Sequence, residues 1–137
     1  MNDRCVCCSK KPFAFCCEPL LLEQQSALTP EQLMRSRYSA YALGGYGRYL
    51  LKTWFAPMAK GLSEALLSRR DQDWLGLQVL GSDKSGNQGW VEFKAKYQEG
   101  DTISEMHEKS IFILIDQQWF YIGGEVQQVA DSPLLRR

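Results

Sequence analysis

Trp90-Val-Glu-Phe-Lys-Ala-Lys-Tyr97 alternates without interruption. Val91, Phe93, Ala95 and Tyr97 fall on one face of an extended chain; Trp90, Glu92, Lys94 and Lys96 fall on the other. A period of two with one apolar face is the pattern of a half-buried β-strand. The turn formers on either side place its neighbours. Upstream, residues 81–89 are rich in Gly, Ser, Asp and Asn and separate it from a strand over residues 74–80. Downstream, Glu99-Gly100-Asp101 turns into a long strand over residues 103–115, and Asp116-Gln117-Gln118 connects that strand to another at residues 119–122. Consecutive strands with short turns predict an antiparallel meander.

Before the strands the periodicity is helical. Thr29-Pro30-Glu31-Gln32 opens a helix: Thr29 suits the N-cap, Pro30 the first helical position, and Gln32 completes a capping box. Leu33, Met34, Arg37, Tyr38, Tyr41 and Ala42 recur at helical spacing until Gly44-Gly45 ends the run. A second helix is expected over residues 47–55, carrying Tyr49, Leu50, Trp54 and Phe55 and stopped by Ala56-Pro57. A third is expected over residues 62–71, with Leu62, Leu66 and Leu67 on one face. Helices followed by a meander give an α+β fold, the helices lying on one face of a curved antiparallel sheet.

All five cysteines lie in the first seventeen of 137 residues. Four form the array Cys5-x-Cys7-x8-Cys16-Cys17, two close pairs separated by a short loop, which can bring four sulfurs to one tetrahedral metal. Adjacent Cys16 and Cys17 converge only where the backbone bends. Arg4, Lys10 and Lys11 are candidates to offset the charge of four thiolates. Cys8 either replaces Cys7 as a ligand or stays free, and reduced thiols without metal are the alternative for the whole array. An odd count crowded at one end does not suit a secreted disulfide scaffold and points to a reducing, cytoplasmic setting.

Composition limits the rest. Hydrophobic residues make up 45% and charged residues 23%, and the formal net charge is zero, so no nucleic-acid or anionic-membrane partner is indicated. No apolar run approaches the ~20 residues of a membrane span, and the opening Met-Asn-Asp-Arg-Cys lacks a signal-peptide core.

Residues 5–17 resemble the SEC-C motif, the zinc module named for the C-terminal tail of the SecA translocation ATPase, with the form Cys-x-Cys-x8-Cys-Cys/His. The resemblance implies zinc ligation by Cys5, Cys7, Cys16 and Cys17. Ser9 and Lys11 also match the motif, whereas Cys8 and Lys10 stand where it usually has glycines, which makes the turn costlier. The body resembles the YchJ family of uncharacterised bacterial proteins in Leu33-Met-Arg-Ser-Arg-Tyr-Ser-Ala-Tyr41, Tyr49-Leu-Leu-Lys-Thr-Trp54, Trp74-Leu-Gly-Leu77, Val91-Glu-Phe-Lys-Ala-Lys-Tyr97, His107-Glu-Lys-Ser-Ile-Phe112 and Trp119-Phe-Tyr-Ile-Gly-Gly124. That likeness implies a nuclear transport factor 2-like cone behind a zinc knuckle. The expected organisation is a knuckle at residues 1–18, a docked linker at 19–28 with Leu20, Leu21 and Leu22 packed down, the cone at 29–129 and a frayed tail at 130–137.

The family supplies no established activity. The similar knuckle of SecA serves binding and no chemistry, so the resemblance implies an interaction module that docks on a protein or ribosomal partner, with Lys10, Lys11, Phe13 and Phe15 as the surface. The alternative is an enzyme or small-ligand binder in the cone pocket, lined by Arg37, Tyr38, Tyr41, His107, Glu108 and Ser110, with Glu108 or His107 as base and an Arg–Glu pair across the helix–sheet interface. His107 and Glu108 are adjacent in a strand and so face opposite ways. With no nucleophile–base pair, phosphate loop or cofactor fingerprint in the chain, the module is the preferred reading.

Overall fold

The structure, a computed structural model, describes residues 4–131, and only the backbone for 127–131. Four helices, α1 (Glu18–Leu21), α2 (Pro30–Leu43), α3 (Gly47–Lys52) and α4 (Glu64–Leu67), precede four strands, β1 (Asp73–Ser85), β2 (Gln88–Glu99), β3 (Thr102–Ile115) and β4 (Gln118–Asp131). The strands form one antiparallel meander in the order β1-β2-β3-β4. Helix α2 lies against β1, β2 and β4.

Helix α2 begins as its residues dictate: Thr29 Oγ1 accepts from the Gln32 amide at 3.1 Å, and Pro30 occupies the first turn. The reciprocal bond of the capping box is displaced by one residue, because Gln32 Oε1 accepts from the Leu28 amide at 2.7 Å. Gly44 ends the helix at φ 75. The expected second helix stops early, at Lys52. Thr53 Oγ1 donates to the Tyr49 carbonyl, and residues 53–55 then leave the helix to pair with β4 through Phe55 N to Tyr121 O (2.7 Å) and Tyr121 N to Thr53 O (2.8 Å). That pairing covers part of the β4 edge. The expected third helix shrinks to Glu64–Leu67. Ser68, the C-cap, receives Gly45 N on its carbonyl and Gly47 N on Oγ, which welds this turn to the start of α3.

The strands run longer than expected. The turn at residues 81–89 contracts to Gly86-Asn87 because pairing continues through Ser85↔Gln88. At the β3–β4 turn Asp116 and Gln117 both have positive φ, 50 and 67, as a tight hairpin with right-twisted strands requires. Strand β4 takes in Ala130 and Asp131, opposite Glu105 and Ser104, although the sequence reading puts both in the tail; residues 132–137 lie outside the described residues.

Val91, Phe93 and Ala95 are buried on the helix-facing side of β2, beside Ser104, Ser110 and Phe112 of β3. Register slips decide what else faces inward. Between Trp74 and Gly76, and between Val79 and Gly81, β1 carries one extra residue relative to β2. Each such bulge reverses the facing of what lies beyond it. Trp74 therefore shares the inner face with Leu77 and Val79, while Leu75 and Leu80 point to solvent. A slip between Ile111↔Gly123 and Phe112↔Tyr121 does the same on β4, turning both Tyr121 and Gly124 inward.

Of the three linker leucines, Leu20 and Leu21 are buried but Leu22 is 51% exposed. The α1 turn ends there and the next residue, Glu23, takes a positive φ of 61, so only two of the three side chains can face the body. Among the described residues no helix is long and apolar enough to cross a membrane.

Candidate metal centre and the helix–sheet cavity

The N-terminal segment folds back on itself. Arg4 bridges to Pro12, the Cys5 amide donates to the Lys11 carbonyl at 2.9 Å, and the Cys8 amide to the Cys5 carbonyl at 3.2 Å. Cys8 and Lys10 close this turn at φ 66 and 72, in the left-handed region where glycine is favoured. A 3-10 turn at Phe13–Phe15 leads to a sharp bend at Cys16 (φ −124, ψ −96), and Cys17 caps α1, its carbonyl accepting from Leu20 and Leu21. Bend and cap together turn two adjacent side chains the same way.

The sulfurs of Cys5, Cys7, Cys16 and Cys17 all lie within 4.8 Å of one another. Cys7 to Cys16 is 3.6 Å and Cys16 to Cys17 is 3.9 Å. A tetrahedron with metal–sulfur bonds of ~2.3 Å has edges of about 3.8 Å, so the group has the size a single tetrahedral ion requires. Cys5, Cys7 and Cys17 are buried and Cys16 is half-buried. Crowded thiols share protons unequally: hydrogen bonds from Cys17 and Cys5 hold Cys7 far below the ordinary thiol range, and bonding to Cys5 and Cys7 pushes Cys17 far above it. A bound cation would replace those protons. Cys8 stands outside the group, exposed, its sulfur against the Leu77 amide (3.5 Å) and the Val6 carbonyl (3.6 Å).

Ser9, which matches the motif, and two residues of α2 that the sequence did not place at the cluster support it. Ser9 Oγ lies 3.1 Å from Cys16 Sγ. From α2, Ser39 Oγ lies 3.6 Å from Cys5 Sγ, and Arg35 donates to the Cys7 carbonyl at 2.7 Å and to Glu31 at 3.0 Å. Lys10 and Lys11 are exposed; Arg4 donates to the Lys10 carbonyl. Helical spacing of Glu31, Arg35 and Ser39 was the available signal, but nothing in the sequence said what that stripe faced. The two aromatics separate: Phe13 packs against the core, whereas Phe15 is 82% exposed. The 3-10 turn aims neighbouring odd positions differently, which a strand would not.

The second feature is a cavity of about 210 Å³ between α2 and the sheet. Arg37, Tyr38, Tyr41, Glu108 and Ser110 line it. His107 does not: it faces the outer side of β3, 2.6 Å from Glu92, because alternate strand residues point oppositely. The walls that sequence reasoning missed are Trp54, Trp74, Met106 and Tyr121, three of them delivered by a helix stop or a strand bulge. Arg37 is only 5% exposed and makes no ion pair with Glu108. It donates to the Leu50 carbonyl and Thr53 Oγ1, both at 2.7 Å, with its guanidinium over the rings of Trp54 and Tyr121. Glu108 accepts from Ser110 Oγ at 2.9 Å, and Gly124, lacking a Cβ, leaves room for its carboxylate. Burial raises the pKa of Glu108 and of Tyr41, pushes Tyr121 up to about 12, and lowers that of Arg37.

Comparison with known proteins agrees with this architecture. Residues 29–124 match the family model described as the YchJ middle NTF2-like domain. A UPF0225 protein of Serratia proteamaculans is 39% identical over 93% of this chain and 86% of its own length, and one of Pectobacterium carotovorum is 35% identical over 97% and 90%. The solution structure of a SEC-C motif-containing protein from Rhodopseudomonas palustris superposes with a TM-score of 0.82 at 37% identity, covering 91% of this chain and 99% of that one. The crystal structure of a SEC-C motif-containing protein from Psychrobacter arcticus gives 0.77 at 27% identity, covering 91% and 83%. A cysteine cluster built for one ion, set on an NTF2-like α+β body, thus places this chain in the YchJ-like family of bacterial proteins.

Proposed function

We propose that the N-terminal segment is a SEC-C-type knuckle that holds one zinc ion through Cys5, Cys7, Cys16 and Cys17 and presents a docking surface to a protein or ribosomal partner. Four sulfurs close the tetrahedron and leave no position for water, so the ion would be structural. The observation that carries the docking role is Phe15, 82% exposed beside Cys16. With Leu28, 74% exposed, it lines an open groove of about 740 Å³ between the knuckle and the start of α2. Exposed Lys11 lines it too, and Lys10 precedes Lys11 in the chain; apolar anchors rimmed by charge are how docking patches are built. The reduced thiols suit a cytoplasmic setting.

Elemental analysis under reducing conditions tests the first half: one zinc per chain, lost in Cys16→Ser. Capture experiments with wild type, Phe15→Ala and Cys16→Ser test the second. One partner lost from both variants supports docking; a partner retained by both refutes it.

A second reading has its own support. The carboxylate of Glu108, in an aromatic cavity with a single hydrogen-bond donor among the described residues, is arranged as a recognition group for a small ligand.

A further inference from the structure

The cavity's lining specifies what it would hold, granted the ligand-binding reading just given. Size comes first. A dry cavity of ~150 Å³ accepts benzene, so about 210 Å³ admits one six-membered ring with a small substituent. Shape follows from the walls: the pairs Tyr38–Trp74 and Trp54–Tyr121, each edge-to-face, present aromatic surfaces to a flat guest.

Charge is the most selective property. Among the described residues, Arg37 and Glu108 are the lining groups that carry opposite charge. Arg37 directs Nη1 to the Leu50 carbonyl and Thr53 and lays its plane on two ring faces, and Glu108 is its anionic counterpart on the described lining. A guest with net charge would leave an uncompensated charge in a low-dielectric space, which is costly. A neutral guest preserves the balance. Finally, Ser110 occupies Oε2 of Glu108, which leaves Oε1 as the strongest acceptor in the cavity. A hydrogen bond to a charged acceptor is among the stronger neutral–ion contacts.

We infer that the cavity binds a small, neutral, planar molecule bearing one O–H or N–H donor, seated among these aromatic pairs with its donor on Glu108. The test uses the metal-loaded full chain and four probes of one size: phenol, toluene, benzoate and benzylammonium. Amide chemical-shift titrations near pH 8 keep the carboxylate ionised. Phenol is expected to bind about 10-fold more tightly than toluene, and neither charged probe should match it. Glu108→Gln should cut the preference for phenol over toluene at least about fivefold and admit benzoate. Ala95→Leu, which fills the cavity from β2, should abolish binding of all four while the circular dichroism spectrum is retained.

Toluene equal to phenol, with both lost in Ala95→Leu, would overturn the ligand class and leave the cavity as a binding site. So would a charged probe that binds most tightly in wild type. If no probe binds, or if binding survives Ala95→Leu, the ligand-binding reading itself falls, and this inference with it.

Discussion

Replacing Lys10 by glycine should tighten metal binding, although glycine normally loosens a loop. Lys10 sits at φ 72 and Cys8 at φ 66, where a residue with a Cβ is disfavoured by roughly 1–2 kcal/mol. Glycine relieves that strain in the folded knuckle and adds about 0.5–1 kcal/mol of unfolded-chain entropy to be lost. The Lys10 side chain is exposed, and the carbonyl that accepts from Arg4 survives the change. The difference favours glycine by about 0.5 kcal/mol, a roughly twofold gain in affinity, because knuckle folding and metal binding are one equilibrium. Cys8→Gly adds a similar term, reduced by loss of the sulfur contact with the Leu77 amide. The double variant should bind about three- to fivefold more tightly. Lys11→Gly is the control. Lys11 has no positive φ, so only the entropic cost remains and affinity should fall about threefold. Competition with a chromophoric chelator, at fixed pH under reducing conditions, reads all three. If Lys10→Gly and Lys11→Gly shift affinity in the same direction, backbone strain at Lys10 is not what sets it.

Three further outcomes follow from the packing. Chelating the metal should leave the sheet folded, because the core that Cys5, Cys7 and Cys17 join also holds Leu33, Leu50, Val91 and Phe112 between α2, α3 and the sheet; cooperative loss of sheet circular dichroism at 25 °C would contradict this. Gly47→Ala should lower the urea midpoint by the equivalent of about 3 kcal/mol, since a Cβ would overlap the Glu64 carbonyl and Ser68 Oγ, whereas Gly81→Ala meets only the rim of Trp90 at 3.5 Å and should cost less than about 1 kcal/mol. Burial holds the pKa of Glu108 above its ordinary 4.5, so between 4.5 and the raised folded value the native state binds more protons than the unfolded one and stability falls as pH rises. Glu108→Gln removes that loss, and its melting temperature relative to wild type should be higher at about pH 8 than at about pH 5; an equal difference at both would show that Glu108 is not desolvated.

Local patterns carried much of this structure. The alternation from Trp90 to Tyr97 announced β2, and Thr29-Pro30 with Gly44 bracketed α2, because strand facing and helix ends are governed by near neighbours. The metal array was readable for the same reason: the spacing of Cys5, Cys7, Cys16 and Cys17 is local. What escaped were consequences of pairing between distant segments. No feature of residues 74–80 announces the bulges at Leu75 and Leu80, yet they decide that Trp74 enters the cavity. The slip on β4 likewise brings Tyr121 and Gly124 inward. Phe15 and Leu22 looked no different from Phe13 and Leu21; one residue of rotation in a short turn exposes the former pair and covers the latter.

Helix α2 is one rod with two tenants. Arg35 and Ser39 meet the sulfur cluster, and Arg37 and Tyr41, on nearly the opposite face of the helix, wall the cavity. Thermodynamic reciprocity then binds the tenants to each other: any factor by which an ion on one face alters the hold on a guest must be returned, unchanged, by the guest upon the ion. Measuring metal affinity with and without a guest in the cavity therefore reads the same quantity as measuring guest affinity with and without metal.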